Sequence, residues 1–211
     1  MAFPSESAPE RLADAIIHAV SLAGFAVASL VLVHHASRLE GYALLISVLV
    51  YAVTAIASIG ISFAYHLLPR HDLRPVLRRW DHAAIYLVIA GTFTPLLVLS
   101  GTRYAYVILA VIWAFSAAGV AFKVLTSNMD SRWSLISYLG MGWFALFALP
   151  TFWSELPGVS TTAFAAGGLF YTIGTIFYAR KGMRFRYPIW HGLGTLGGTS
   201  FFVAIWLAVA R

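Results

Sequence analysis

The chain has 211 residues, of which 60% are hydrophobic and 10% are charged, and its mean hydropathy is +0.82. Soluble domains are about 45–50% apolar and about 25% charged. This composition therefore excludes an ordinary soluble domain and predicts an all-α integral membrane protein. Cysteine is absent, which excludes disulfides, a thiolate metal site and a cysteine nucleophile.

Seven apolar stretches come close to the roughly 20 residues that a membrane-spanning helix needs. They run near residues 13–34, 42–68, 81–100, 104–125, 134–153, 160–179 and 188–210. Because the linkers between them are short, we predict one domain over residues 1–211, a seven-transmembrane-helix bundle preceded by a short cytoplasmic segment, residues 1–11. That segment lacks the basic region of a cleaved signal peptide, so we expect the first span to be retained.

Lysine and arginine predict the orientation of the bundle, because cytoplasmic connections carry an excess of both. The N-terminal segment and the second, fourth and sixth connections hold one, four, two and four of them, eleven in all, against three on the other side. We therefore expect a cytoplasmic N-terminus and a C-terminus outside. The net charge of +6 then reflects topology, so membrane lipids are the expected partners and nucleic acid is not.

Polar and ionisable residues within the predicted spans gather at the cytoplasmic end. They are Asp14, His18, Ser62, His66, Asp81, His82 and His191. Such groups are costly inside a membrane and are functional candidates by default. Each also has a structural interpretation, such as stabilising a helix N-terminus for an aspartate or bonding to its own helix for a serine. Because four helices supply them at one depth, we favour a shared functional site.

One stretch carries a specific family resemblance. Residues 78–95, RRWDHAAIYLVIAGTFTP, are very close to the pattern of the hemolysin III group of the progestin and adiponectin receptor family. Ser62-x3-His66 matches the serine–histidine motif that ends helix 2 in that family. The two residues lie four apart and so share one helix face. The resemblance covers nearly the whole chain.

Two further motifs are similar, each with one departure. Glu10-x3-Asp14-x3-His18 resembles the helix 1 motif, with Asp14 where the family usually has Asn. These three residues are expected to support the site. Tyr187-x3-His191 resembles the last motif, but the family usually has His at both ends.

The resemblance implies a fold and a cofactor. It implies seven helices, a cytoplasmic N-terminus and a zinc ion near the cytoplasmic side, in a multi-pass protein of the bacterial cytoplasmic membrane. His66 and His191 would be zinc ligands, and Asp81 would hold the zinc-bound water or act as the base. In the enzyme interpretation, Ser62 would orient the site or the substrate. The third ligand is open: Asp81 or His82 could be recruited, or zinc could bind weakly. Tyr187 is a poor candidate, since the reference pKa of its phenol is about 10.

Three functions follow as alternatives. Adiponectin receptors are associated with ceramide hydrolysis, so the resemblance implies a zinc-dependent hydrolase of a ceramide-like lipid amide. A non-enzymatic receptor or regulator of membrane state is the second interpretation. A pore-forming cytolysin is the third, and it gains little because the predicted helices 4, 5 and 6 contain no His, Asp or Glu. The oligomeric state stays open.

Overall fold

The computed structural model of the protein describes residues 3–5, 7–126, 132–144, 147 and 158–210. Within these ranges there are seven helices and no strand. The helices are α1 (Ala8–Ala36), α2 (Tyr42–Leu67), α3 (Arg74–Ser100), α4 (Arg103–Leu125), α5 (Arg132–Trp143), α6 (Gly158–Ala179) and α7 (Arg186–Val209). Six of them, all except α5, are long and apolar enough to cross a membrane.

The fifth predicted span, residues 134–153, is the one that the structure supports least. Helix α5 covers 12 residues, about 18 Å at 1.5 Å per residue, and the stretch beyond it falls largely outside the described residues. The seventh crossing and the orientation of the termini therefore stay predictions.

Helix α1 turns a polar face inward. Ser7 caps its start, and Ser7 and Glu10 form a reciprocal capping box. Its buried residues recur every three or four positions: Glu10, Asp14, His18, Ser21, Phe25, Ser29, Leu32 and Ala36. Apolar side chains such as Leu12 and Val20 are exposed instead. Such polar groups in membrane helices face the bundle interior, so α1 presents them to a site between helices.

Close helix packing brings α7 against α1 and α6. Helix α1 contacts α2 and α7, α2 contacts α3, α3 contacts α4, and α6 contacts α7. A Cβ added at Gly197 would lie 2.6 Å from the Tyr171 ring of α6, and one added at Gly198 would lie 2.9 Å from the Phe25 ring of α1. Small residues allow this approach, and it places the start of α7 beside the start of α1.

Two sets of hydrogen bonds hold the helix ends around the predicted site. The guanidinium of Arg74 donates hydrogen bonds to the carbonyl oxygens of Tyr65 and Leu68, which satisfies groups left free at the end of α2. The carboxylate of Glu10 accepts a hydrogen bond of 2.8 Å from the backbone N–H of Phe185. This hydrogen bond connects the first turn of α1 to the residue that precedes α7.

Helix α3 begins earlier than the sequence predicted. It starts at Arg74 rather than near residue 81, so Arg78 and Arg79 lie within the helix and not in a loop. Asp81 is seven residues, about two turns, inside α3. Because the effect of a helix end on a charge falls off within one turn, stabilisation of a helix start does not account for Asp81.

Candidate metal centre

A fully buried carboxylate is the centre of the site. Asp14 of α1 has 0% exposure. Its Oδ1 lies 2.6 Å from Nδ1 of His191, and its Oδ2 lies 3.3 Å from Nδ1 of His66. Nδ1 of His18 is 3.6 Å from Oδ1. A buried charge is stable only when it is paired or hydrogen-bonded, so the three histidines, together with the Ser5 hydroxyl, make this position tolerable for a carboxylate.

The three imidazoles form one cluster contributed by three helices. Their ring centres are 4.4 Å apart for His18 and His191, 4.5 Å for His66 and His191, and 5.9 Å for His18 and His66. These residues come from α1, α7 and α2, and all lie at the same end of the bundle. The sequence prediction that these histidines share one depth agrees with this placement.

The hydroxyl of Ser62 lies between the Nε2 atoms of two of these rings. Its Oγ lies 3.2 Å from Nε2 of His18 and 3.4 Å from Nε2 of His191. The Asp81 carboxylate lines the same cavity as this hydroxyl. Ser62 therefore contacts the histidine cluster and shares a cavity wall with Asp81, and the catalytic roles of these two residues stay predictions.

The donor set suits a metal ion. Donor atoms of Asp14, His66 and His191 all lie within 4.8 Å of one another. His66 Nδ1 is buried and has no aligned hydrogen-bond partner, although Asp14 is near. Imidazole nitrogens and a carboxylate are ordinary ligands of zinc. The residues present therefore fit a metal ion, while their types alone do not identify which one.

A large apolar cavity adjoins the cluster. Its volume is about 810 Å³. Its wall at the cluster includes His18, Ser62, His66, Asp81 and His191, and the rest is mainly aliphatic and aromatic. Asp14 does not line the cavity, which agrees with its complete burial. The histidines thus have one side against a buried carboxylate and another toward an apolar cavity.

The other predicted third ligands lie differently. His82 lines the cavity, and its Nε2 is 3.3 Å from the Tyr178 hydroxyl, which places it toward α6 and outside the group of mutually close donors. The Tyr187 ring is 4.9 Å from the His66 ring and 6.4 Å from the His191 ring, with the Arg186 guanidinium 4.3 Å from its centre.

Glu10, a predicted supporting residue, has a structural role. Its two carboxylate oxygens accept hydrogen bonds from the backbone N–H groups of Ser7 and Phe185. It therefore holds the helix starts that carry Asp14 and His191 rather than facing the cluster itself.

Comparison with known proteins identifies the family. A family model described as "Haemolysin-III related" matches residues 8–195. The chain belongs to the haemolysin-III related family. Similar members include "Hemolysin-3" of Bacillus cereus, 30% identical over 192 residues that cover 90% of this chain and 87% of that protein. The "Hemolysin-3 homolog" of Bacillus subtilis (strain 168) is 30% identical over 204 residues, 95% of each chain. "Monocyte to macrophage differentiation factor" of Homo sapiens is 26% identical over 175 residues, 77% of this chain and 70% of that protein.

Family membership confirms the resemblance drawn from the sequence. With six apolar helices long enough to span, this haemolysin-III related chain is a multi-pass integral membrane protein. Its departures from the family motifs, Asp14 and Tyr187, both lie at the candidate metal centre.

Sequence reasoning underestimated two residues of the site. Asp14 appeared only as a supporting residue, although the one signal that could have raised it was present: a carboxylate where the family usually has Asn. Ser5 was not considered, and its hydroxyl, 3.3 Å from Asp14 Oδ2, lies before the first helix where no periodic pattern could have indicated it.

Proposed function

We propose that this haemolysin-III related chain is a zinc-dependent hydrolase of a lipid amide. The observation that supports it is the juxtaposition of a donor cluster and a lipid-sized apolar cavity. His66 and His191 are the two ligands that the family motifs and the geometry both favour, and helix α1 supplies the third donor. We place the cluster at the cytoplasmic side of a bacterial cytoplasmic membrane, with the N-terminus inside.

The chemistry divides between the metal and the chain. Zinc in an open site polarises a carbonyl oxygen and makes water more acidic. The carboxylate of Asp81, on the cavity wall, accepts a proton from the attacking water and returns it to the leaving amine. The Ser62 hydroxyl, which neighbours Asp81 and two imidazoles, orients these groups relative to the scissile carbonyl.

The cavity supports a lipid as the substrate. Pockets of 300–1,000 Å³ that are mostly apolar with a few polar groups at one place are typical binding sites for small ligands. Here the histidine and aspartate side chains of the wall belong to the cluster and to the neighbouring Asp81 and His82, while Phe93, Phe164 and Phe201 are part of the apolar wall. An acyl chain would occupy the apolar part and hold its amide beside His191 and Asp81.

The test compares two aspartate variants of the purified protein. Asp81→Asn preserves size but removes the proton acceptor, and loss of a general base costs about 10²–10⁴-fold in rate. Asp72→Asn is the matched control, because Asp72 is exposed in the connection between α2 and α3. Turnover of a fluorescent ceramide-like amide should fall by that factor in the first variant only, and a zinc chelator should abolish it in the wild type. Metal-loaded wild type that hydrolyses no lipid amide would favour the non-enzymatic regulator and contradict the proposal.

A further inference from the structure

The nitrogens of the histidine cluster face two sides. The Nδ1 atoms of His18, His66 and His191 lie 3.6, 3.3 and 2.6 Å from oxygens of the Asp14 carboxylate. In each ring Nε2 is the second nitrogen, separated from Nδ1 by one carbon. For His18 and His191 the Nε2 side is the side of Ser62, whose Oγ is within 3.4 Å of both.

The cavity lies on the Nε2 side. His18, Ser62, His66 and His191 line it, whereas Asp14 is fully buried and does not. A catalytic metal keeps an open position for substrate. A metal bound directly by the Asp14 carboxylate would be separated from the cavity by the histidines. A metal that serves a substrate in the cavity therefore belongs on the Nε2 side.

In His18 and His191, the hydrogen bonds on the Nδ1 side are those expected of ligating imidazoles. Nδ1 of His18 is 2.8 Å from the backbone oxygen of Asp14. A carbonyl oxygen can only accept, so Nδ1 carries the hydrogen and Nε2 keeps its lone pair. Nδ1 of His191 donates in the same way to Oδ1 of Asp14. A histidine that binds a metal almost always donates its other N–H to a carboxylate or a backbone carbonyl.

The spacing of the rings also suits one shared ion. Zinc–nitrogen bonds are about 2.0–2.1 Å long and arranged tetrahedrally, so the ring centres of three ligating imidazoles lie roughly 5 Å apart. The observed separations of 4.4, 4.5 and 5.9 Å bracket that value. No large movement of the helices is needed to bring the three rings to one metal.

We propose that His18 is the third imidazole ligand and that Asp14 is a positioning residue, which orients the ligands without binding the metal. This rests on the metal site of the proposed function. His18 of α1 then takes the place of the helix 7 histidine that Tyr187 replaces in this chain. Asp14 contributes twice, because its backbone oxygen orients His18 and its carboxylate orients His191.

X-ray absorption at the zinc edge tests this ligand set directly. Wild-type protein in detergent, loaded with one equivalent of zinc, should give a spectrum fitted by three imidazole ligands. A spectrum fitted by two imidazoles and a carboxylate would overturn the proposal, and so would protein that binds no zinc.

Zinc affinities of three variants, measured by competition with a fluorescent chelator, provide the second arm. His18→Ala should weaken binding at least about 100-fold, as expected for loss of a ligand. Asp14→Asn should weaken it about 10–100-fold, the usual cost of losing a group that orients a ligand, and its zinc-loaded form should keep the three-imidazole spectrum. His34→Ala, an exposed histidine at the other end of α1, is the matched control and should leave affinity unchanged. Wild-type affinity in His18→Ala would overturn the proposal.

Rescue separates loss of a ligand from loss of the fold. Added imidazole should restore zinc binding to His18→Gly, because a free imidazole can occupy the vacated space. A His18→Gly protein that elutes as folded and is not rescued would contradict the ligand role. Wild type with a three-imidazole spectrum but no hydrolysis would remove the proposed reaction while leaving this ligand set standing.

Discussion

Replacing Glu10 tests whether the hydrogen bond that connects α1 to the start of α7 supports the metal centre. The Glu10 carboxylate accepts hydrogen bonds of 3.0 Å from the Ser7 N–H and 2.8 Å from the Phe185 N–H. Hydrogen bonds to charged groups contribute about 1.5–3 kcal/mol each. Because both hydrogen bonds are only partly buried, we expect Glu10→Ala to cost about 2 kcal/mol in total, less than the sum of two such bonds in a dry interior.

The effect can be measured globally and locally. A loss of 1 kcal/mol lowers Tm by about 2–4 °C in a domain of 150–250 residues, so Glu10→Ala should lower Tm by about 4–8 °C in detergent. Hydrogen exchange at the Phe185 amide should accelerate, and zinc affinity should fall because Asp14 and His191 are no longer held together. Glu40→Ala, at an exposed position between α1 and α2, is the control. Equal Tm and equal amide protection in the two variants would refute this account of Glu10.

Three further predictions concern packing, surface charge and topology. Gly197→Ala should destabilise the folded protein by about 1–3 kcal/mol through overpacking against Tyr171. Gly168→Ala is the control and should not, because no atom lies within 4 Å of the added Cβ. Equal thermal stability of the two variants would contradict the close approach of α6 and α7. The Arg70 guanidinium holds the pKa of Asp72 below its usual range, so the stabilisation by this ion pair is present above the pKa of Asp72 in the unfolded chain and is lost as pH falls through its pKa in the folded protein. Because the pair is exposed, Asp72→Asn should leave Tm unchanged in high salt. A clear drop in Tm would show that the pair contributes more than its exposure indicates. A reporter fused after residue 75 should behave as cytoplasmic and one fused at the C-terminus as external, and a cytoplasmic C-terminus would mean an even number of spans.

The helices were largely predictable from the sequence because a membrane-spanning helix needs a long apolar stretch, which hydropathy detects. The stretches near 42–68, 104–125 and 160–179 correspond closely to α2, α4 and α6. The start of α3 was misplaced because the hydropathy of the segment that contains Arg74, Arg78 and Arg79 is typical of a loop. A helix can extend beyond the apolar core into the polar interface, where basic side chains are favourable, and hydropathy does not detect such extensions.

The candidate site was predictable in membership but not in arrangement. Spacing and depth indicated that His18, His66 and His191 belong together. They could not show that all three turn Nδ1 toward Asp14, because ring orientation depends on hydrogen-bond partners contributed by other helices. The motif departures at Asp14 and Tyr187 were visible in sequence, yet their physical connection appears only when α1 and α7 are packed side by side.

Anomalous scattering at the zinc edge is the most direct test of the central claim that the histidine cluster binds a metal beside the cavity. Crystals of the wild-type protein grown with zinc should show one strong peak about 2.0–2.1 Å from nitrogens of His66 and His191, on the side that faces Ser62 and the cavity. A cluster without a peak in zinc-saturated crystals, or a peak only at surface residues, would contradict the account.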